Sequence, residues 1–166
     1  KHMYDYDYIL FDLPPFLGEL TIAVLAAVNY ILVPASVDSY SLNGFGALND
    51  TVNYLVNSGR NPDLRIIGIF FTMMQANSYY IGLYADAIDA LGDTFMKSTI
   101  RQNVNARKAN ECGCPLCWLK RNAGITKDYI HLTEEVLRRC NLLKEDEHLP
   151  NLADSDDNYT NYLLTR

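Results

Sequence analysis

The sequence predicts an α/β protein with a mostly parallel sheet and flanking helices. Short apolar runs alternate along the chain with segments of helical periodicity, in the order strand, helix, strand, helix, strand, helix, strand. That order is typical of right-handed βαβ crossovers, which build parallel sheets. A length of 166 residues with 49% hydrophobic content is sufficient for one domain with its own core.

The first predicted strand, at about residues 8–13, carries the most informative motif of the chain. Four apolar residues lead into Asp12, and Pro14 and Pro15 stop the strand soon afterwards. Such a run predicts a buried parallel strand that delivers one carboxylate to the sheet edge where α/β proteins bind ligands. An acidic residue in that place commonly holds the Mg²⁺ of a nucleotide, often through water. A core strand that ends in a capping aspartate is the alternative.

The remaining elements follow from apolar periodicity and from turn residues. Helices are predicted over residues 20–29, from Ser39 or Ser41 to about residue 58, and over residues 78–91 and 126–143. Strands are predicted over residues 30–34 and 65–72, with a weaker one over residues 95–100. Gly92 is expected to end the third helix, because glycine readily adopts the backbone conformation that terminates helices.

Charge is distributed unevenly along the chain. The net charge is −6, but residues 94–140 carry a net +5 between acidic flanks of −7 and −4. Such an island of basic residues is typical of a nucleic-acid-binding face, although a solvated helix surface has the same composition. Residues 144–166 are polar and acidic without periodicity, so we expect a disordered tail. Residues 1–3 resemble a cloning remnant and are left out of fold predictions.

Three cysteines, Cys112, Cys114 and Cys117, fall within six residues. This spacing can place thiolates on one zinc ion or on an iron–sulfur cluster, with Cys140 or His131 as a fourth ligand. We expect packed or free thiols instead, because no second cysteine pair follows. No apolar run approaches the roughly 18–20 residues that span a bilayer. We therefore expect a cytoplasmic location, where cysteines stay reduced.

The motif Asp-x-Pro-Pro with residues 17–21 resembles the switch region of the ParA/MinD family of deviant Walker ATPases. Further segments resemble the family in the same order, namely residues 33–34, 40–44, 61–68, 100–103 and 128–129. The resemblance covers about residues 4–143 and implies the C-terminal portion of a P-loop NTPase-like domain. The family's phosphate loop lies upstream of the Asp-x-Pro-Pro strand, and this sequence contains no Gly-Lys pair of the kind that such a loop needs. We therefore do not expect these residues alone to hydrolyse ATP.

The resemblance also implies which residues contact ATP and Mg²⁺. One group would hold Mg²⁺ through water and sense the γ-phosphate: Asp12, Pro14, Pro15 and Gly18. A second group would lie near the adenine base: Thr72, Met73, Arg101 and Asn103. Arg101 stands where the family usually has proline.

Members of the family form ATP-dependent dimers that bind DNA nonspecifically and segregate plasmids or chromosomes, and other members act at membrane surfaces. The acidic tail is unlike the basic amphipathic helix of the membrane-surface members, which favours DNA partitioning and no membrane partner. The resemblance then implies a homodimer, a partition-complex partner and DNA contacts through Lys97, Arg107, Lys108, Lys120 and Arg121. The alternatives are a non-catalytic scaffold or DNA-binding module without the phosphate loop, and a metal or iron–sulfur carrier that uses the cysteines.

Overall fold

The structure of the protein is a computed structural model that describes residues 6–36 and 39–149, with the backbone alone for residues 39–43. Its regular elements are α1 (Glu19–Leu25), β1 (Tyr30–Ser36), α2 (Ser39–Asn57), β2 (Arg65–Thr72), α3 (Ser78–Leu91), α4 (Val104–Glu111), α5 (Leu116–Leu119) and α6 (Gly124–Arg139). The chain divides into two compact units. Among the described residues, the first unit comprises residues 6–31 and 42–66, and the second comprises residues 32–36, 39–41 and 67–149.

The sheet is small and parallel, which confirms the predicted fold class. β1 pairs with β2, and α2 connects them as the crossover helix. Residues 95–101 run beside β2 as an irregular third segment, through parallel bridges from Phe95 to Ile69 and from Arg101 to Met74. The Met96 N–H donates to the Ile69 carbonyl at 2.8 Å. The weak strand predicted at residues 95–100 is therefore present as a bridged segment that lacks regular strand structure.

The first unit is held together by a cluster of buried aliphatic side chains from α1, α2 and the turn before β2: Leu25, Val52, Leu55 and Leu64. The side-chain amide of Asn61 closes this unit. Its Nδ2 donates to the Leu25 carbonyl at 2.9 Å and to the Val28 carbonyl at 2.7 Å. These two bonds satisfy carbonyl groups at the C-terminal end of α1 and just after it. Carbonyls in this place have no N–H donor from the helix itself.

The predicted strand at residues 8–13 is wrong. This segment has no regular secondary structure, and Leu10 is 94% exposed while Tyr8, Ile9 and Phe11 are also exposed. A strand is stable only when a neighbour accepts and donates its backbone hydrogen bonds. Within the described residues, the strands form a sheet of two, β1 and β2, and neither pairs with this segment. Hydrophobic sequence alone therefore does not place these residues in a sheet.

The second unit has its own core, in which β2 and the 95–101 segment pack against α6. Its buried members are Phe70, Met96, Ile100, Ile125 and Leu132. Phe71 is 1% exposed and meets Phe95 edge to face, with ring centroids 4.8 Å apart. Gly68 faces the side chain of Met96 so closely that a Cβ atom would collide with it. This close approach explains a glycine in the middle of a strand.

Helix boundaries deviate from the predictions mainly after residue 100. The sequence did not predict α4 or α5, and α6 ends at Arg139. Asn141 follows in the left-handed conformation with φ 58°, and the Leu142 N–H bonds back to the Leu137 carbonyl at 2.8 Å. Residues 144–149 of the predicted tail contact α6 through Arg138 and Glu134. The rest of that tail and residues 1–3 lie outside the described residues.

No helix among the described residues is long and apolar enough to cross a membrane.

Candidate functional site

The ends of two parallel segments meet in the second unit. β2 ends at Thr72, and Met73 adopts a left-handed backbone with φ 56°, which is unusual for a residue other than glycine. The Met74 N–H then donates to the Ile100 carbonyl at 3.0 Å, and the Gln102 N–H donates to the Met74 carbonyl at 2.9 Å. Thr72, Met73, Arg101 and Asn103 thus lie near the carboxyl ends of adjacent parallel segments, the usual ligand edge of an α/β sheet.

Arg101 forms an ion pair with Asp128 at this edge. Its Nε lies 2.6 Å from Oδ2 of Asp128, its Nη2 lies 2.7 Å from Oδ1, and its backbone N–H also donates to Oδ2 at 3.1 Å. The Asp128 carboxylate is nearly buried, so this two-pronged contact fixes the 100–103 loop to α6. Gly124 faces the guanidinium and leaves room for it. Arginine in the place of the family's proline is therefore explained by a partner on α6.

Asn103 caps the N-terminus of α4, a role that was not predicted for it. Its side-chain oxygen accepts the Asn105 N–H at 2.9 Å, which caps the helix. Beside it, the Gln75 amide donates to the Gln102 side-chain oxygen at 2.8 Å and links the two segment ends again. An asparagine after a predicted strand is typical of a helix N-cap, so the sequence Asn-Val-Asn could have predicted this cap and the helix that follows it. Contact between Asn103 and a nucleotide stays a prediction.

The magnesium and phosphate group, Asp12, Pro14, Pro15 and Gly18, lies in the first unit on the segment that leads into α1. The Phe16 N–H donates to the Pro14 carbonyl at 2.8 Å, which makes a tight turn. The Thr21 hydroxyl donates to the Phe16 carbonyl at 2.9 Å and ties this turn to the helix. Asp12 itself is exposed. Its carboxylate is the oxygen ligand that Mg²⁺ prefers, so the residue type fits the ion.

The candidate DNA contacts lie on the loops and helices of the basic island. α4 buries Ala109 and exposes Arg107 and Lys108; Lys97 and Lys120 lie on exposed turns, and Arg121 is half-buried. Other cations of the same island have carboxylate partners: Arg101 with Asp128, Arg138 with Glu134 and Arg139 with Glu135. In the part of the chain that the structure describes, Lys97, Arg107, Lys108 and Lys120 form no salt bridge, which leaves their charges available to an anionic partner.

Glu135 of α6 positions the turn that carries Lys97. Its Oε1 accepts the Lys97 N–H at 3.0 Å, and its Oε2 accepts the Ser98 N–H at 2.8 Å. Arg139 donates to Oε1 at 3.0 Å from the next helical turn. Burial alone would raise the pKa of Glu135, but the hydrogen bonds from Ser98 and Lys97 and the charge of Arg139 outweigh it and lower the pKa.

This lowered pKa predicts acid sensitivity that depends on Glu135. Its folded pKa lies below 4.5, its ordinary value, so its stabilising contribution is complete above about pH 4.5 and is lost as the pH falls through the folded pKa. Glu135→Gln should therefore be less stable than the original chain at pH 7, and the difference should shrink below pH 4.5. Urea unfolding at pH 7 and at a pH below 4.5 measures the free energy of unfolding of the variant and of the original chain. Glu111→Gln, an exposed change on α4, is the control, and a difference independent of pH would contradict the argument.

The four cysteines are free thiols. Cys112 is exposed, and Cys114, Cys117 and Cys140 are partly buried. Among residues 6–36 and 39–149, no three side chains of histidine, cysteine, aspartate or glutamate are grouped so that they could hold a metal ion. Cys114 lines an open groove of about 810 Å³ between α4 and α6, together with Arg107, Leu116 and Tyr129.

Comparison with known proteins identifies relatives along most of the chain. A family model described as an AAA domain matches residues 2–66. The chromosome partitioning protein ParA of Myxococcus xanthus is 30% identical over 139 residues, which cover 81% of this chain and 48% of that protein. The chromosome-partitioning ATPase Soj of Treponema pallidum is 33% identical over 135 residues, which cover 81% of this chain and 53% of that protein.

The sporulation initiation inhibitor protein Soj of Bacillus subtilis is 33% identical over 133 residues, which cover 80% of this chain and 52% of that protein. The chain thus spans about half the length of the curated relatives it matches. The order of motifs, the parallel sheet and these identities agree with one another. Over about four-fifths of its length, the chain is homologous to proteins of the ParA/Soj family of partition ATPases.

Proposed function

We propose that this chain is the part of a ParA-like partition ATPase that follows the phosphate loop, and that it acts in plasmid or chromosome partitioning. In the intact protein it contributes to ATP and Mg²⁺ binding, to ATP-dependent homodimerisation and to nonspecific DNA binding in the cytoplasm, together with a partition-complex partner. The observation that carries this proposal is the meeting of β2 and the 100–103 loop through Met74 and Arg101. That edge is where relatives of this fold class bind their ligands.

The division of labour follows from the residue types. Asp12 would hold Mg²⁺ through water, and the turn from Pro14 to Gly18 would respond to the γ-phosphate. The ion, when bound, would neutralise phosphate charge as water attacks the γ-phosphate. Thr72 and Met73 would border the base from one segment end, with Arg101 and Asn103 on the other. The lysine and backbone donors that stabilise the transition state belong to the phosphate loop, for which this sequence has no counterpart.

Calorimetric titration of this chain with Mg²⁺-ATP tests the nucleotide site. We expect weak binding, and we expect Asp12→Ala to weaken it by about tenfold, the equivalent of about 1.4 kcal/mol. Asp7→Ala, which removes an exposed carboxylate five residues away, should have no effect. Equal binding by the Asp12 and Asp7 variants would remove Asp12 from the site. Absence of binding by the unmodified chain would show that these residues do not form a nucleotide site by themselves.

A second candidate function is a non-catalytic DNA-binding module or scaffold of the same family. The observation that favours it is the exposure of Arg107 and Lys108 without carboxylate partners in the described residues. The affinity for duplex DNA, measured with and without Mg²⁺-ATP, distinguishes the two functions. The module would bind DNA with the same affinity in both cases. The partition ATPase requires that nucleotide change the affinity for DNA.

Homodimerisation in this proposal is supported by the exposed apolar residues of the first unit. Ile9, Leu10 and Phe11 follow one another in the sequence and are all exposed. Consecutive exposed apolar residues on an unpaired backbone are suited to pair with another strand, because the pairing satisfies their hydrogen bonds and removes their apolar surface from water.

A further inference from the structure

We propose that Cys114 and Cys117 form a redox-active dithiol, which small-molecule disulfides convert reversibly into an intramolecular disulfide. The partition function makes no use of these residues, and the inference does not depend on it. Two observations carry it: the Cys-Pro-Leu-Cys sequence, and the place of Cys114 in the lining of an open groove that Arg107 also lines.

The local backbone places the two cysteines on either side of a helix start. Gly113 adopts a left-handed conformation with φ 61° after α4, and the Cys114 N–H then donates to the Ala109 carbonyl at 3.1 Å. Pro115 is extended, with φ −58° and ψ 139°, so α5 begins at Leu116. A Cys-x-x-Cys pair is a motif used for thiol–disulfide exchange.

Closure of the disulfide changes this turn. Bridged cysteines need Cα atoms about 4.4–6.8 Å apart. Pro115 is extended between Cys114 and the helical turn that carries Cys117. We expect closure of the disulfide to draw Cys114 in toward α5. That movement is feasible because α5 has four residues and no side chain caps its N-terminus in the structure as described. Oxidation thus remodels the wall of the groove that Cys114, Pro115 and Leu116 form.

The other cysteines are less suited to the reaction. Cys112 and Cys114 are separated by Gly113 alone, and a disulfide across one residue is strained. Cys140 caps the C-terminus of α6, an element separate from α5, and burial raises the pKa of its thiol. A raised pKa lowers the fraction of thiolate, which is the nucleophile in exchange reactions. The Cys114–Cys117 pair is therefore the favoured one among the four.

The positive charge at the groove favours anionic oxidants. Arg107 lines the groove, and Lys108 is exposed on the same helix. A cationic rim raises the local concentration of anionic reagents and accelerates their encounter. Glutathione disulfide is such a reagent, because its carboxylates outnumber its ammonium groups. We therefore expect it to react faster than a neutral disulfide of similar reduction potential.

The reaction consists of two exchange steps. The Cys114 thiol loses its proton to solvent, and its thiolate attacks one sulfur of the small disulfide, which releases one thiolate and leaves a mixed disulfide on Cys114. The Cys117 thiolate, after losing its proton, then attacks the Cys114 sulfur and releases the second small thiolate. The protein dithiol is oxidised by two electrons, and one small disulfide is reduced to two thiols. Excess small thiol reverses both steps.

Equilibration of the full chain in glutathione redox buffers at pH 7, followed by acid quench, alkylation and peptide mass mapping, tests the pair. We expect loss of two thiols and two hydrogen atoms per chain, with the disulfide located between Cys114 and Cys117 by fragmentation of the peptide that contains both. Cys114→Ser and Cys117→Ser should each abolish the intramolecular disulfide and leave a mixed disulfide with glutathione. Cys112→Ser and Cys140→Ser should retain it. Loss of the disulfide in Cys112→Ser, or its persistence in Cys114→Ser, would overturn the assignment.

Trp118, the single tryptophan of the sequence, directly follows Cys117 and reports the reaction by fluorescence. The intensity should change on oxidation of the original chain and should return on addition of excess thiol. Arg107→Gln with Lys108→Gln should slow oxidation by glutathione disulfide about 3- to 10-fold and leave the rate with neutral hydroxyethyl disulfide unchanged. Equal slowing with both reagents would overturn the role of charge, and no fluorescence change with either would overturn the switch.

Discussion

Replacement of Arg107 and Lys108 by glutamate should weaken the binding of duplex DNA by about 10- to 100-fold at low salt. Both side chains are exposed on α4, and in the described residues neither forms a salt bridge. A cation that is not neutralised by the protein releases counterions when it meets a phosphate, and this release drives nonspecific binding. Reversal of both charges removes that contribution and adds repulsion from the phosphate backbone.

Fluorescence anisotropy with a labelled duplex of random sequence, at several salt concentrations, measures the effect. The affinity should fall, and the slope of log K against the logarithm of the salt concentration should become less steep by about 2, because two phosphate contacts are lost. The control is the pair Arg65→Glu and Lys127→Glu, which changes the net charge equally at exposed positions outside the candidate contacts. If both pairs weaken binding equally, net charge rather than α4 is responsible, and the assignment of these DNA contacts fails.

The part of the fold that the sequence predicted well is the part where local pattern and tertiary packing agree. β2 and α3 have the predicted bounds because a continuous apolar run and an amphipathic helix were each marked by turn residues. Asn77 caps α3 through the Tyr80 N–H, and Gly92 ends the helix with φ 53°. At these positions the local preference of the chain and its final environment are the same.

The segment at residues 8–13 shows why the same reasoning failed elsewhere. It is richer in apolar residues than β2, but a strand depends on a neighbour that a local pattern does not identify. Residues 95–101 show the opposite case. They have a weak strand pattern, yet they run beside β2 because Phe95, Met96 and Ile100 are buried there.

The proximity of the 100–103 loop to the end of β2 was predictable, but the contacts within this region were not. The motif order identified the 100–103 loop, and the structure places that loop at the end of β2. The pairing of Arg101 with Asp128 joins residues that are distant in sequence, so no local spacing indicates it. Asparagine at position 103 is a local signal for a helix N-cap. It did not lead to a predicted helix, because the family resemblance had assigned Asn103 to the base.

Arg139→Met should lower the free energy of unfolding by about 3–5 kcal/mol, which is a large part of the stability of a domain this size. The guanidinium of Arg139 links several segments of the second unit through hydrogen bonds. It donates to the Ile67 and Asp93 carbonyls at 2.8 Å each, and to the Phe95 carbonyl at 3.1 Å. It also pairs with Glu135 at 3.0 Å, and both side chains are less than a quarter exposed. Methionine keeps most of the apolar volume but leaves three carbonyls without this donor and a carboxylate without its cation.

A double-mutant cycle separates the lost hydrogen bonds from the uncompensated charge. Glu135→Gln removes the carboxylate charge, so the double variant Arg139→Met with Glu135→Gln should be more stable than the sum of the two single effects predicts. The size of that difference measures the coupling between the two side chains. Arg138→Met is the matched control one residue earlier, since Arg138 bonds carbonyls of the 144–147 turn outside the core. If both arginine variants lose the same stability, the loss reflects helix α6 in general. A larger loss for Arg139, relieved by Glu135→Gln, would show that one partly buried cation joins β2, the 95–98 segment and α6, and so maintains the edge that carries the candidate site.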